Sequence, residues 1–127
     1  VISKMHPKGP LLEHNFLKPF SEGVYNDYFA AENYDVSCFL FDFGGSAFYE
    51  ALSSKKGVVY VDMGMRTIDK NSEKHLNQRC EIVKSSLDSS NRYRVSVSEI
   101  SSALENAEEF NWTSTDFYDR YVLSNHY

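Results

Sequence analysis

Long apolar runs, cysteines and surplus positive charge are all scarce in this sequence, and each scarcity excludes something. No run approaches the ~18 apolar residues of a membrane-spanning helix, and no stretch is built like a signal peptide, so membrane contact is expected to be peripheral at most. Basic residues are outnumbered, 13 Lys and Arg against 18 Asp and Glu, for a formal net charge of −5. With no basic stripe to meet a phosphate backbone, the chain is not expected to bind nucleic acid in general, although a local basic site remains open. The two cysteines, Cys38 and Cys80, form neither a Cys-x-x-Cys pair nor a zinc-type spacing. Both lie in apolar strand candidates and read as free buried thiols of a cytoplasmic protein, with no metal site expected. Internal repeats and low-complexity linkers are also absent.

What is present is enough for one domain. A chain of 127 residues can bury an ordinary core without a disulfide or structural metal, and 15% aromatic content, with nine Tyr and nine Phe, fits a folded core. It is small for an enzyme that handles two substrates. The first residue is Val1 rather than Met, inside what reads as a strand. The expectation is therefore an excised C-terminal portion of something longer.

The apolar pattern predicts an α/β chain. Val1 to Lys4 reads as a strand end, followed by a loop at 5–10 in which Pro7, Gly9 and Pro10 forbid regular structure. Residues 15–33 carry a helix-like spacing of Val24, Tyr28, Phe29 and Ala31. Then come a buried strand at Val36 to Phe41, a helix at Ser46 to Ser53, and a second buried strand at Gly57 to Asp62, where Val58 to Val61 run without a polar break. The link is long enough for a right-handed crossover, so the two strands are expected to be adjacent and parallel in the middle of the sheet. A loop at 63–71 precedes a helix from Ser72 to about Arg79 and a short strand at Cys80 to Val83. Residues 87–95 read as a turn-rich surface loop. Ser98 is placed as N-cap of a helix bearing Ile100, Ala103, Leu104 and Ala107, and Thr113 or Ser114 as cap of a last helix with Phe117, Tyr118, Tyr121 and Val122.

The turn between the first buried strand and its helix holds the candidate site. Gly44 and Gly45 clear side chains from the backbone, and Ser46 is read as the cap of the helix that follows. An anion there would meet unpaired N–H groups and the positive end of a helix dipole, whereas the plainer reading is a tight turn before a capped helix. His6, fixed by Pro7 and flanked by Lys4 and Lys8, either grips a phosphate or is a solvated loop histidine. Glu50 shares a helix face with Ser46 and is read either as an acceptor for ribose hydroxyls or as a solvated helix residue. Asp42, at the strand end, is a turn-forming carboxylate or a contact to a substrate hydroxyl.

In order, VISKMHPKG and FDFGGSAFYEALSSKKGVVYVD resemble the nucleotide-binding C-terminal half of GT-B glycosyltransferases. The similarity is greatest to bacterial surface-polysaccharide enzymes with a Lys-x-His-Pro loop: sialyltransferases, Kdo transferases and the glycerophosphotransferases of teichoic acid synthesis. It covers most of residues 1–110. The resemblance implies a Rossmann-like three-layer domain with a parallel sheet, phosphate contacts from His6 and from Ser46 at its helix start, and a ribose contact from Glu50. Many retaining members carry Glu-x7-Glu; Asp42 and Glu50 stand at those positions here, and the departure puts a catalytic role for Asp42 in doubt.

The implied function is donor binding in capsule or lipopolysaccharide O-antigen synthesis, with a CMP-sugar as partner, Kdo slightly ahead of sialic acid. The resemblance also implies that the general base and the glycan acceptor site lie in an N-terminal half, so these residues alone are not expected to transfer sugar; no cofactor is expected. Two other readings stay open. A UDP-sugar epimerase of GT-B type would use the same anion turn, and a response-regulator-like or flavodoxin-like interaction module would use none.

Overall fold

The computed structural model describes residues 2–4, 23–25, 31, 34–64, 67–109 and 114–123. Its centre is a parallel sheet of three strands, β3 (Cys38–Phe41), β4 (Gly57–Asp62) and β5 (Glu81–Lys84), in the order β3-β4-β5. Phe39 pairs with Val58 and Tyr60 with Ile82. Parallel strands need a crossover between them, supplied here by α1 (Ser46–Ser53) and α2 (Lys70–Leu76). A separate parallel pair joins β1 (Ile2–Lys4) to β2 (Gly23–Tyr25).

Strand β4 explains why the sheet is covered on both faces. Its residues Gly57 to Val61 are all buried, and successive side chains point to opposite sides. Val58 and Tyr60 join Phe48, Ala51 and Leu52 of α1 and Leu76 of α2 on one face. Val59 faces the other way, where Val83, Ala103 and Ala107 cluster under α3 (Val97–Glu109). Helices α1 and α2 thus lie on one face and α3 on the opposite one, giving three layers. A final π-helix (Tyr118–Leu123), entered through buried Phe117, returns to the α1 face.

Several boundaries differ from the sequence reading. β4 and α1 fall where expected, but β3 is an edge of the three-stranded sheet rather than a central strand. Val24 lies in β2, not in a helix. The α2 helix starts at Lys70, two residues earlier than expected, because Asp69 caps it: its Oδ2 accepts from the N–H groups of Asn71 (3.1 Å) and Ser72 (3.2 Å). The segment read as plain loop is a hairpin of β6 (Ser86–Leu87) and β7 (Tyr93–Arg94). Asp88 organises its turn, accepting from Ser90 N, Arg92 N and Arg94 Nε. Ser96 rather than Ser98 caps α3, its Oγ accepting from Glu99 N at 3.3 Å and its carbonyl from Ile100 N at 3.1 Å. At the last helix it is the Thr115 carbonyl, not the side chain of Ser114, that receives a first-turn N–H, from Asp119; Thr113 lies outside the described residues.

Candidate functional site

The chain leaves β3 through Asp42 and Phe43, both exposed, and enters α1 through Gly44 and Gly45. Gly45, not Ser46, is the N-cap: it has extended backbone (φ −109°), it receives the Tyr49 N–H on its carbonyl at 3.2 Å, and no side chain caps the helix. Ser46 is the first helical residue, with an exposed side chain. The expected serine cap is therefore corrected, and the first turn of α1 also lacks an acidic residue. Helices α2 and α3 differ, with side-chain caps at Asp69 and Ser96 and with Glu73 and Glu99 in their first turns. The positive dipole end of α1 thus has neither a side-chain cap nor a first-turn acid.

The glycines of this turn are not demanded by backbone geometry, since Gly64 (φ 73°) is the described glycine with positive φ. At Gly44 an added Cβ would meet nothing closer than 3.9 Å, so packing does not demand glycine there either. At Gly45 the Phe43 ring would stand 3.3 Å away, a tighter fit. What glycine does provide at position 44 is backbone without a Cβ at the carboxyl end of a parallel strand, where open α/β sheets bind their ligands.

Beside this turn opens a cavity of about 320 Å³. Its walls are aromatic, with Phe48 and Tyr49 from α1, Tyr60 from β4, and Phe117 and Tyr121 from the last helix segment. Phe48 and Tyr60 pack as tilted rings with centroids 5.0 Å apart, and Phe117 and Tyr121 do so at 5.2 Å. Thr67, Asp69 and Ser72 supply polar groups. The Asp69 carboxylate and the Ser72 hydroxyl are already engaged in capping α2, and Tyr121 Oη lies 3.2 Å from His75 Nδ1. Among the described residues, no basic side chain lines the cavity.

Glu50 is occupied in a way that helical spacing did not indicate. Its Oε1 accepts the Ala31 N–H at 2.9 Å, while Lys56 Nζ donates to the carbonyls of Ala31 (3.1 Å) and Tyr34 and lies over the Phe39 ring. One residue within α1 and one just beyond it thus clasp the segment that leads into β3. Glu50→Ala should cost about 1.5–3 kcal/mol, the worth of a hydrogen bond to a charged acceptor, while Glu50→Gln, which keeps an acceptor, should cost less than about half of that. Chemical denaturation of the two variants checks this; equal stabilities would remove the clasp from consideration. Glu50 remains one turn from Ser46, and the Ala31 N–H engages its Oε1.

The other expected site residues divide by position. Lys4 ends β1, and His6, Pro7 and Lys8 lie outside the described residues. Cys38 and Cys80 do not add a nucleophile: burial, with Glu108 nearby, raises the Cys38 thiol to about 11, and burial raises Cys80 to about 12, so both stay protonated near neutral pH. Cys38 is only half-buried. Among the described residues no cluster of His, Cys, Asp or Glu could hold a metal ion, and no helix is long and apolar enough to cross a membrane.

A functional residue of another kind, Arg79, escaped the sequence reading, which took it as a helix end. It is buried to 1% exposure and donates through Nε to the Leu52 carbonyl and through Nη2 to those of Ala51, Ser54 and Lys56. It holds the end of α1 and the entry to β4, and so sets the far end of the helix whose start forms the turn.

Comparison with known proteins adds no relative: no family model, no curated protein and no solved structure matches the chain.

Proposed function

We propose that this chain is the donor-nucleotide domain of a GT-B-type glycosyltransferase, Rossmann-like in fold, holding the phosphate of a CMP-activated sugar at the Gly44-Gly45-Ser46 turn. The observation that carries the reading is the start of α1: a glycine pair at the end of a parallel strand, leading into a helix with neither a side-chain cap nor a first-turn acid. Backbone N–H groups and the helix dipole there suit an anion. The specific preference for a cytidine nucleotide comes from the Lys-x-His-Pro resemblance alone.

The pairing of this turn with the His6 loop comes from the same resemblance; Lys4 ends β1, which pairs with β2 in a sheet separate from β3-β4-β5. In enzymes of this kind the general base and the acceptor site come from the other half, so the role proposed for this chain is donor binding, with Glu50 as the ribose contact.

Thermal stabilisation by nucleotide tests the reading, because a ligand that binds only the folded state raises the melting temperature by mass action. CMP should stabilise the chain more than UMP. Ser46→Glu places a fixed carboxylate at the anion position; it should raise intrinsic stability by about 0.3–1 kcal/mol through the helix dipole and abolish the response to CMP. Absence of stabilisation by any nucleotide would favour the interaction module instead.

A further inference from the structure

We propose that the β3 flank of α3 is a docking groove for a basic amphipathic helix of a partner protein. Parallel strands are normally covered on both faces, and β4 is, being buried from Gly57 to Val61. Strand β3 is not. Leu40 pairs in register with Val59, so the two side chains point to the same face, yet Val59 is buried beneath α3 while Leu40 is 51% exposed. Cys38, two residues earlier on that face, and Leu104 of α3 are only half-buried where they pack on the same cluster. The three leave an apolar strip along the helix. It lies on the opposite face of the sheet from the aromatic cavity, so it stands or falls apart from nucleotide binding.

Charge decides what kind of partner fits the strip. The Ser37 hydroxyl, just ahead of β3, donates to Glu108 Oε1 at 3.0 Å, so the flank of α3 that bears Glu108 is the one facing β3. Ser101 and Glu105, at helical spacing from Glu108, share that flank, and all three are exposed. Glu99, Glu105, Glu108 and Glu109 are the charged residues of α3, which contains no Lys, Arg or His. The negative charge reaches the floor as well, since Glu108 adds to burial in raising the Cys38 thiol. An apolar floor beside a carboxylate wall complements a helix with apolar residues at i, i+3, i+4 and i+7 and with Lys or Arg at the margin of that stripe. A second copy of this chain matches poorly, because a two-fold contact here would bring two such acidic helices together.

The probe is a synthetic amphipathic peptide of leucine and lysine, about 15 residues long so that it can form a helix. In an amide NMR titration of the full chain it should shift Cys38, Leu40, Leu104, Glu105 and Glu108 saturably, whereas a matched peptide of leucine and glutamate should not bind. Leu40→Ser should weaken the leucine–lysine peptide roughly fivefold, the share of a leucine that is half exposed before binding. Glu105→Lys should weaken it roughly threefold and reduce its salt dependence. Glu99→Lys makes the same charge change on another flank of the same helix and should alter affinity by less than about twofold. Equal losses for Glu99→Lys and Glu105→Lys, or indifference to Leu40→Ser, would reveal unspecific attraction to an acidic protein and overturn the groove. No shift at the five amides, or self-association of the parent chain that Leu40→Ser abolishes, would overturn it too.

Discussion

Replacing Gly57 with alanine is expected to cost more than about 3 kcal/mol, at or beyond the upper end of what overpacking a core usually costs. A Cβ at this position would stand 2.3 Å from the carbonyl oxygen of Ala107, 2.8 Å from its carbonyl carbon and 3.1 Å from its Cβ. The first two are backbone atoms of α3, which no rotamer change can move. Either α3 lifts from the sheet or β4 shifts out of register, and both open the cluster in which Val59 and Val83 meet Ala103 and Ala107. Small residues at positions 103 and 107 are what bring the helix this close. Gly44→Ala is the matching control, since its added Cβ would meet only Phe48 and Tyr60 at 3.9 Å and should change stability by less than about 1 kcal/mol. Urea denaturation of the two variants separates them, and a Gly57→Ala chain as stable as its parent would mean that the helix does not approach the strand as described.

Arg79→Met should be comparably damaging, about 3 kcal/mol or more, although it keeps most of the side chain's volume. Methionine cannot donate, so the carbonyls of Leu52, Ser54 and Lys56 would lose the donor that now sits at 2.9, 2.7 and 3.0 Å. Each buried acceptor left without a partner costs about 1–3 kcal/mol. Ala51 is less exposed to the change, because its carbonyl also receives the Ser54 N–H and hydroxyl. Desolvation lowers the pKa of the guanidinium and opposes its charge, so the benefit comes from geometry: a planar fork reaches carbonyls between Ala51 and Lys56 from two nitrogens, which a lysine, with one point of donation, could not. Arg79→Lys should therefore recover only part of the loss. A melting temperature for Arg79→Met within a degree or two of the parent would show that those carbonyls find water instead.

How much of this could be read from sequence depended on the range of the interaction. β4 and α1 were legible because an unbroken Val-Val-Tyr-Val run and the spacing of Phe48, Ala51 and Leu52 each state their burial locally. The hairpin was not, since strands of two residues are too short to show alternation, and Asp88 with its three donors reads equally well as an isolated turn. Ser96 and Ser98 offered the same chemistry to the start of α3; exposed Val97, outside the apolar stripe, hid the true first turn. Arg79 was legible from sequence only as the approximate end of a helix. Only the fold, by bringing the end of α1 around it, turns it into a buried clamp. The hydrogen bond from Ala31 to Glu50 was hidden for the same reason, because the two residues are distant in sequence. The glycine turn was legible as a turn, while the identity of its cap required backbone geometry.

The most direct measurement is an amide NMR titration of the chain with CMP, followed at Gly44, Gly45 and Ser46 and at His6. Anion binding at an uncapped helix start should shift the first three amides in a saturable way, with His6 responding at the same midpoint because both loops would hold one phosphate. His6→Ala should then weaken the midpoint roughly tenfold or more, as expected for loss of a charge-assisted hydrogen bond of about 1.5–3 kcal/mol. Saturable shifts confined to other parts of the chain, or no shifts at these four amides, would contradict nucleotide binding at the turn.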